Sequence, residues 1–233
     1  MPSKVYDLPA IGKVTVTKRK TNRNIRLSLT HAGEIKVSIP AYAPYIAGLN
    51  FAANKSTWII ANRPAGTKLT SGQVIAGKYY LKLVPDNVDV PASYIKNNLI
   101  TVRHPGLLTA GHPSVQKCAF QACIRAIRVQ AETRLPARLY ELAGLHAISY
   151  SQLSIKRLSR RWGSCDQKNR LVLNLFLVQL PDELIDYVIL HELAHTKVLN
   201  HSNQFWQYLA TMDPATKTHR RQLRSYHPGI LPD

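Results

Sequence analysis

Apolar and polar residues alternate in short runs over the first hundred residues, which is the pattern of half-buried β-strands. The runs 25–29 and 35–39 flank a turn around Ala32-Gly33 and predict a β-hairpin. Turns at Gly77 and at Asn97-Asn98 separate further apolar runs. We therefore expect two more hairpins in this region.

The spacing of apolar residues becomes helical from about residue 114 to 145, with Pro136 predicting a break or a second start. A shorter stretch, 43–62, also has helical spacing. The change of pattern predicts two domains, a basic β-rich N-terminal region over 1–108 and a second domain over 109–233. The predicted fold class is α+β, with mostly β-hairpins in the first part.

Two further strands are predicted at 153–158 and 170–178. Pro181 then opens a helix at the favoured first position, and Asp182 and Glu183 follow in its first turn. The sequence therefore places strands directly before this helix.

The helix contains the sequence His191-Glu192-Leu193-Ala194-His195, an HExxH match. Two histidines four residues apart project from one helical face and can bind one metal ion. They continue the apolar stripe of Leu184 and Val188, whereas Glu192 lies away from the charged side of the helix. Burial of an unpaired carboxylate is costly, and a metal-bound water over Glu192 would explain it.

A catalytic zinc usually takes three protein ligands and keeps one position for water. His201 is the predicted third ligand, because Asn200 tolerates the left-handed conformation that ends helices and turns the chain back. Ser202 is then expected to cap a following helix. The sequence predicts Zn²⁺ bound by His191, His195 and His201.

Several motifs of the chain together resemble the YgjP-like metallopeptidase family, which is related to the SprT-like and WLM peptidases. The matching segments are Arg161-Trp162-Gly163-Ser164-Cys165, Leu173-Asn174, Pro181 to Tyr187, the HExxH segment, Asn200-His201-Ser202 with Phe205-Trp206, and Ser56-Thr57-Trp58-Ile59. The resemblance implies a compact zincin-like catalytic domain, with the active-site helix packed on a small sheet. Asp166 departs from the family pattern, which more often has a small polar residue there. The histidine spacing also equals that of the metzincins, but Val198 stands where those enzymes have glycine.

The segment before the helix supplies the predicted substrate-binding residues, Arg161, Trp162, Gly163 and Ser164. Trp162 offers an apolar wall, Gly163 permits close backbone approach, and the strand could pair with an extended substrate. Arg161 either meets an acidic substrate group or is solvated. Cys165 is interpreted as a small packing residue, since a fourth protein ligand would exclude water.

The chain has 31 Lys and Arg against 13 Asp and Glu, a formal net charge of +18. Such a field attracts nucleic acid, acidic proteins or anionic lipid. Three cysteines without a CxxC pair indicate reduced thiols, and we expect a cytoplasmic protein. No run of 18 apolar residues predicts a membrane span, so no membrane partner is expected.

The leading hypothesis is a zinc-dependent peptidase that cleaves proteins or peptides with water activated by Glu192. The alternative is a nucleic-acid-associated protein that binds without sequence specificity through its basic surface, with the peptidase site tethered or incidental. A purely structural zinc site has no need of Glu192, which argues against it. The residue that stabilises the oxyanion stays open among His219, Tyr226, His227 and Tyr208, and the sequence predicts no oligomeric state.

Overall fold

A computed structural model of the protein describes residues 2–29, 33–62 and 68–230. The chain forms two compact units, Met1–Lys68 and Leu69–Asp233. Strands dominate the first part and helices the second, so the predicted α+β class is confirmed.

The first unit consists of one mixed sheet and two helices. Its elements are β1 (Ser3–Leu8), β2 (Gly12–Arg19), β3 (Arg26–Leu29), β4 (Ile35–Pro40), α1 (Tyr45–Asn54) and α2 (Ser56–Asn62). The strand order is β1-β2-β4-β3, with an antiparallel pair at each edge and a parallel pair in the centre. The predicted hairpin is confirmed as β3 and β4, although part of its turn lies outside the described residues. The single helix predicted over 43–62 is two helices, divided at Lys55.

One face of this sheet forms the core of the first unit. The buried sheet residues are Val14, Val16, Ile35, Val37 and Ile39. Helix α1 approaches them at Gly48, where an added Cβ would lie 2.9 Å from Val16 Cγ1 and 3.0 Å from Ile39 Cγ2. The absence of a side chain at Gly48 therefore permits the close contact between helix and sheet.

The second unit begins with another four-stranded sheet and continues with the elements that carry the HExxH segment. Its elements are β5 (Val74–Ile75), β6 (Tyr79–Asp86), β7 (Ala92–Lys96), β8 (Leu99–Pro105), α3 (Pro113–Leu145), β9 (Gln152–Lys156), β10 (Gly163–Cys165), β11 (Arg170–Asn174), a 3₁₀ helix (Leu175–Gln179), α4 (Asp182–Ala194), α5 (Asn203–Met212) and α6 (Thr216–Leu223). The order β5-β6-β8-β7 repeats the topology of the first sheet, again with a parallel central pair. Both further hairpins predicted from the sequence are confirmed.

The boundary between the compact units differs from the position near residue 108 where the sequence pattern changes. The strands β5 to β8 share one hydrophobic core with α3 and the later elements. The change in the spacing of apolar residues near residue 108 therefore marks a change from strand to helix within one unit. Helix α3 also continues through Pro136, contrary to the predicted break. Leu135 and Leu139 are fully buried on either side of it, and this packing outweighs the lost backbone hydrogen bond.

A small three-stranded sheet lies next to the HExxH helix, with the order β10-β11-β9. β10 pairs antiparallel with β11 and occupies an edge of the sheet, whereas β9 pairs with β11 in parallel. The strand predicted over 170–178 ends at Asn174 and gives way to the buried 3₁₀ helix. A short continuous run of apolar residues has the same sequence pattern in a buried strand and in a buried helical turn, so the pattern does not distinguish them. Helix α4 packs on β10 and β11 and contacts α3, α5 and α6.

Among the described residues, no helix combines the length and the apolar character that a membrane crossing requires.

Candidate active site

Helix α4 presents the two histidines of the HExxH segment from a firmly packed element. Leu184, Ile185 and Val188 are almost fully buried, while Asp182 and Glu183 lie in the first turn, where the helix dipole favours negative charge. His191 and His195 follow at the opposite end. The predicted apolar stripe therefore fixes the orientation of both imidazoles.

The structure brings His191, His195 and His201 together, and their candidate ligand atoms all lie within 4.8 Å of one another. The Nε2 atoms of His191 and His201 are 3.0 Å apart. His195 can donate from Nδ1 to the Val198 carbonyl oxygen at 3.0 Å, which leaves its Nε2 as a ligand. Of the residues that the structure describes, these three form the one cluster of His, Cys, Asp and Glu with metal-binding spacing.

The electrostatic surroundings keep the imidazoles of His191 and His195 neutral. Burial, followed by the neighbouring His195, His201 and Arg220, lowers the pKa of His191 to about 3. Burial also lowers the pKa of His195. Both rings are therefore uncharged at neutral pH, which is the form that binds a metal ion.

His201 is held by interactions other than those predicted. Asn200 is not among the described residues with positive φ, so the expected left-handed turn is wrong. Instead its Oδ1 accepts a hydrogen bond from the Ser202 backbone N–H at 3.2 Å. Ser202 occupies the N-cap position of α5, but its side chain makes no capping bond. The Trp206 indole N–H donates to the His201 carbonyl oxygen at 3.1 Å and secures the turn.

Aromatic rings from α5 line the histidine cluster. The Phe205 ring centroid lies 4.9 Å from that of His191, 4.4 Å from His195 and 4.8 Å from His201. Trp206 stacks on His201 at 5.5 Å. Phe205 is fully buried and thus supplies an apolar floor that packs against all three histidines.

Arg220 is a site residue that the sequence analysis missed. Its guanidinium carbon lies 4.2 Å from the centre of the Trp206 ring, which in turn stacks on His201. It enters the site only because α6 packs against α4, and no sequence pattern predicts that contact.

Glu192 is buried beside the cluster, with 6% of its surface exposed. Its Oε2 has no hydrogen-bond partner within the described part of the chain. Burial raises the pKa of Glu192 to about 8, and Arg161 acts in the opposite direction. A buried carboxylate oxygen without a partner is unusual and marks Glu192 as a candidate functional residue.

Gly163 makes room for this carboxylate. A Cβ added at Gly163 would lie 2.7 Å from both Cγ and Oε1 of Glu192 and 2.9 Å from Cδ. The backbone of β10 and the side chain from α4 are consequently in direct contact, and any larger residue would displace one of them.

The other residues of the predicted substrate-binding segment differ in their surroundings. Trp162 is buried in the core, Arg161 is exposed, and Ser164 is half-buried in β10. Burial, followed by Glu192 and Asp166, raises the pKa of the Cys165 thiol to about 11. The thiol is therefore protonated at neutral pH, which agrees with a packing role rather than a nucleophile.

Asn174 organises the segment that leads into β10. Its Nδ2 donates to the carbonyl oxygens of Leu158 and Arg161 at 2.9 and 2.8 Å. Its Oδ1 accepts from the backbone N–H groups of Leu158 and Phe176, and its own N–H donates to Trp162. The sequence analysis gave Asn174 no role, although a fully buried amide within an apolar run is a signal of such a network.

Asp166, the departure from the family pattern, closes the turn between β10 and β11. Its carboxylate accepts hydrogen bonds from the backbone N–H groups of Lys168 and Arg170 and from the Arg170 side chain at 2.7 Å. These hydrogen bonds, led by that of the Arg170 side chain, lower the pKa of Asp166 to about 2. Asn169 completes the turn with a φ of 55°.

Asp213 binds a histidine outside the cluster. His219 Nδ1 lies 2.9 Å from Asp213 Oδ2, and the Thr216 hydroxyl also donates to this carboxylate. The Tyr187 ring lies 6.0 Å from both His219 and His191, and so stands next to each of them. These contacts make Asp213 a partner of His219.

The donor set fits a zinc ion. Tetrahedral zinc with bonds of about 2.0–2.1 Å requires nitrogen ligands roughly 3.3 Å apart, close to the observed separation of His191 and His201. Three imidazoles leave one position of a tetrahedral ion for water, and Glu192 lies on the same helix as His191. The residues thus match a catalytic rather than a closed structural site.

A family profile agrees with a metallopeptidase site. The family profile described as "YgjP-like, metallopeptidase domain" matches residues 23–226. Two crystal structures of metallopeptidase zymogens are similar over part of the chain. Jannalysin of Methanocaldococcus jannaschii is 24% identical with a TM-score of 0.35, covering 39% of this chain and 94% of that one. Abylysin of Pyrococcus abyssi is 20% identical with a TM-score of 0.37, covering 42% and 99%. A search of curated proteins finds no match.

Proposed function

This chain belongs to the YgjP-like metallopeptidase family, as its motifs predicted, and we propose that it hydrolyses peptide bonds at one zinc ion. His191, His195 and His201 are the proposed ligands, and Glu192 is the proposed general base. The observation that carries the proposal is the convergence of three imidazoles beside a buried carboxylate with an unpaired oxygen.

Zinc bound by the three histidines would polarise the scissile carbonyl and lower the pKa of a water molecule. Oxygen-rich ligand sets suit magnesium or calcium, whereas imidazoles suit zinc and its neighbours in the transition series. The all-histidine cluster therefore favours zinc among the common divalent ions.

Glu192 would accept a proton from the attacking water and later donate it to the leaving amine. Its burial strengthens its affinity for that proton, while Arg161 favours the ionised carboxylate that can act as a base. Contact with Gly163 limits the movement of the side chain. The carboxylate would thus remain in one position through both transfers.

The edge strand β10 is the proposed docking site for the substrate backbone. One side of β10 pairs with β11, so its other side can pair with an extended peptide. Arg161, in the loop before this strand, acts electrostatically on Glu192, and Arg220 of α6 lies over the Trp206 ring and acts on His191. We expect acidic residues next to the scissile bond to favour cleavage.

The Glu192→Gln variant tests the proposal with the metal site intact. It should retain one zinc ion per chain and lose peptide cleavage by about 100-fold or more, as expected when a general base is removed. Glu183→Gln is the matched control, because Glu183 is an exposed residue at the start of the same helix. Equal cleavage by both variants and the wild type would exclude Glu192 as the base.

A further inference from the structure

The sheet of β5 to β8 has one buried and one open face. Its inward residues, among them Leu81, Ile100 and Val102, join the core with α3. Tyr80 and Tyr94 point the opposite way and remain 55% and 49% exposed. Two large aromatic rings therefore stand on the solvent side of a packed sheet.

Tyrosine and lysine alternate on the two strands that flank β8. On β6, Lys82 is the next residue after Tyr80 on the open face, and on β7, Lys96 follows Tyr94 in the same way. Both lysines are exposed. Each strand thus offers one ring and one ammonium group, about 6.7 Å apart along the strand.

The strand register arranges these four side chains as a checkerboard. Tyr80 and Lys96 are both paired with Leu99 of the central strand β8. Lys82 and Tyr94 are both paired with Thr101, the next residue of β8 on this side of the sheet, which is itself only 5% exposed. Each ring consequently lies across β8 from a lysine, and we call this set the tyrosine-lysine face.

The charges on the face are predominantly positive. Arg103 lies 6.0 Å from the centre of the Tyr94 ring and forms an ion pair with Asp86 at 3.3 Å. Within the described ranges, neither Lys82 nor Lys96 forms an ion pair. The face therefore has two free cations beside its two rings.

We propose that the tyrosine-lysine face binds single-stranded nucleic acid. Unpaired bases stack on exposed aromatic rings, and lysines neutralise the adjacent phosphates. Because a duplex hides the flat surfaces of its bases, it cannot use the two tyrosines. The net charge of +18 strengthens the attraction for any polyanion, whereas the rings select the single strand.

Titration of a fluorescent 16-nucleotide oligothymidine with the full-length protein tests this inference. At about 0.1 M salt we expect saturable binding that is at least tenfold tighter than binding of a 16-base-pair duplex. Tyr80→Ala and Tyr94→Ala should each weaken binding by roughly fivefold to a hundredfold, the usual effect of losing one stacking ring. Tyr94→Phe should retain binding, because phenylalanine also stacks.

Matched controls separate stacking from charge and from folding. Tyr140→Ala removes a tyrosine that is 76% exposed on α3 and should leave binding unchanged. Lys82→Gln with Lys96→Gln should reduce the slope of log affinity against log salt by about 1.4, since each phosphate contact on a single strand contributes about 0.7. Thermal unfolding of each variant confirms that the sheet is intact.

Several outcomes would overturn the inference. They are no saturable binding of the oligonucleotide, equal affinity for the duplex, or unchanged affinity in the tyrosine variants. Binding of phosphatidylserine vesicles or polyglutamate with the same sensitivity to Tyr80 and Tyr94 would also overturn it, because it would assign the face to lipid or acidic protein. Peptide cleavage is not needed for any of these measurements, so they are independent of the proposed peptidase activity.

Discussion

Replacing Gly163 by alanine tests whether close contact between β10 and the carboxylate of Glu192 positions the general base. The added Cβ would lie 2.7 Å from Cγ and Oε1 of Glu192. Carbon atoms normally approach to about 3.5–4.0 Å, so either the strand or the carboxylate must shift by about 1 Å. Overpacking of this kind costs about 1–3 kcal/mol of stability.

The larger effect should be on catalysis. A displacement of about 1 Å at a reacting group can lower the rate by roughly 100-fold. We therefore expect Gly163→Ala to retain zinc and lose kcat/KM by about that factor, measured with a fluorogenic peptide. Glu192→Asp shortens the side chain and removes the steric conflict. Gly163→Ala should therefore lower the activity of the Glu192→Asp variant much less than it lowers the activity of the wild type.

Two other glycines provide controls. Gly106→Ala adds a Cβ that meets no heavy atom of the described residues within 4 Å, its chain neighbours aside, and should be neutral. Gly48→Ala meets Val16 Cγ1 at 2.9 Å in the core of the first unit and should lower stability while sparing the activity of the folded enzyme. Gly163→Ala with full zinc content and kcat/KM within twofold of wild type would refute the reasoning.

Further expectations concern four residues of the site. Asn174→Ala removes the hydrogen bonds that hold the segment leading into β10. It should lower kcat on long peptides and leave the zinc content unchanged. Unaltered kinetics would contradict this role. Cys165 should resist iodoacetamide at pH 7.5 and react increasingly as the pH approaches its raised pKa of about 11; rapid labelling at pH 7.5 would be inconsistent with the raised pKa. In chelator-treated protein, Glu192 is protonated up to a pKa of about 8, whereas the unfolded carboxyl ionises near about 4.3. Its contribution to stability is therefore complete below about pH 4.3 and declines as the pH rises to 8, so Glu192→Gln should flatten the dependence of Tm on pH over this range. Arg220→Gln should reduce cleavage of acidic peptides about two- to fivefold, with Arg221→Gln as the control, and a neutral peptide should be unaffected.

Much of the site could be predicted because its ligands are local in sequence. The spacing of His191 and His195 follows from the helical period, and the same period correctly placed Glu192 away from the charged side of the helix. His201 follows within one short turn, so few conformations could bring it back to the helix. Local geometry was therefore sufficient to predict the histidine cluster.

The remaining features depend on contacts between distant segments. Gly163 contacts Glu192 only because β10 packs on α4. Arg220 reaches Trp206 only because α6 also packs on α4. The continuity of α3 through Pro136 likewise results from burial in the core rather than from local preference. Packing between distant segments cannot be predicted from the spacing of apolar residues within one segment.

The central claim is that three imidazoles bind a hydrolytic zinc ion and leave a position for water. X-ray absorption spectroscopy of the purified, zinc-loaded protein tests it most directly. We predict three imidazole nitrogens and one further light atom at about 2.0–2.1 Å from the metal, with one imidazole lost in His201→Ala. A sulfur at about 2.3 Å, or an unchanged spectrum in His201→Ala, would contradict the proposed site.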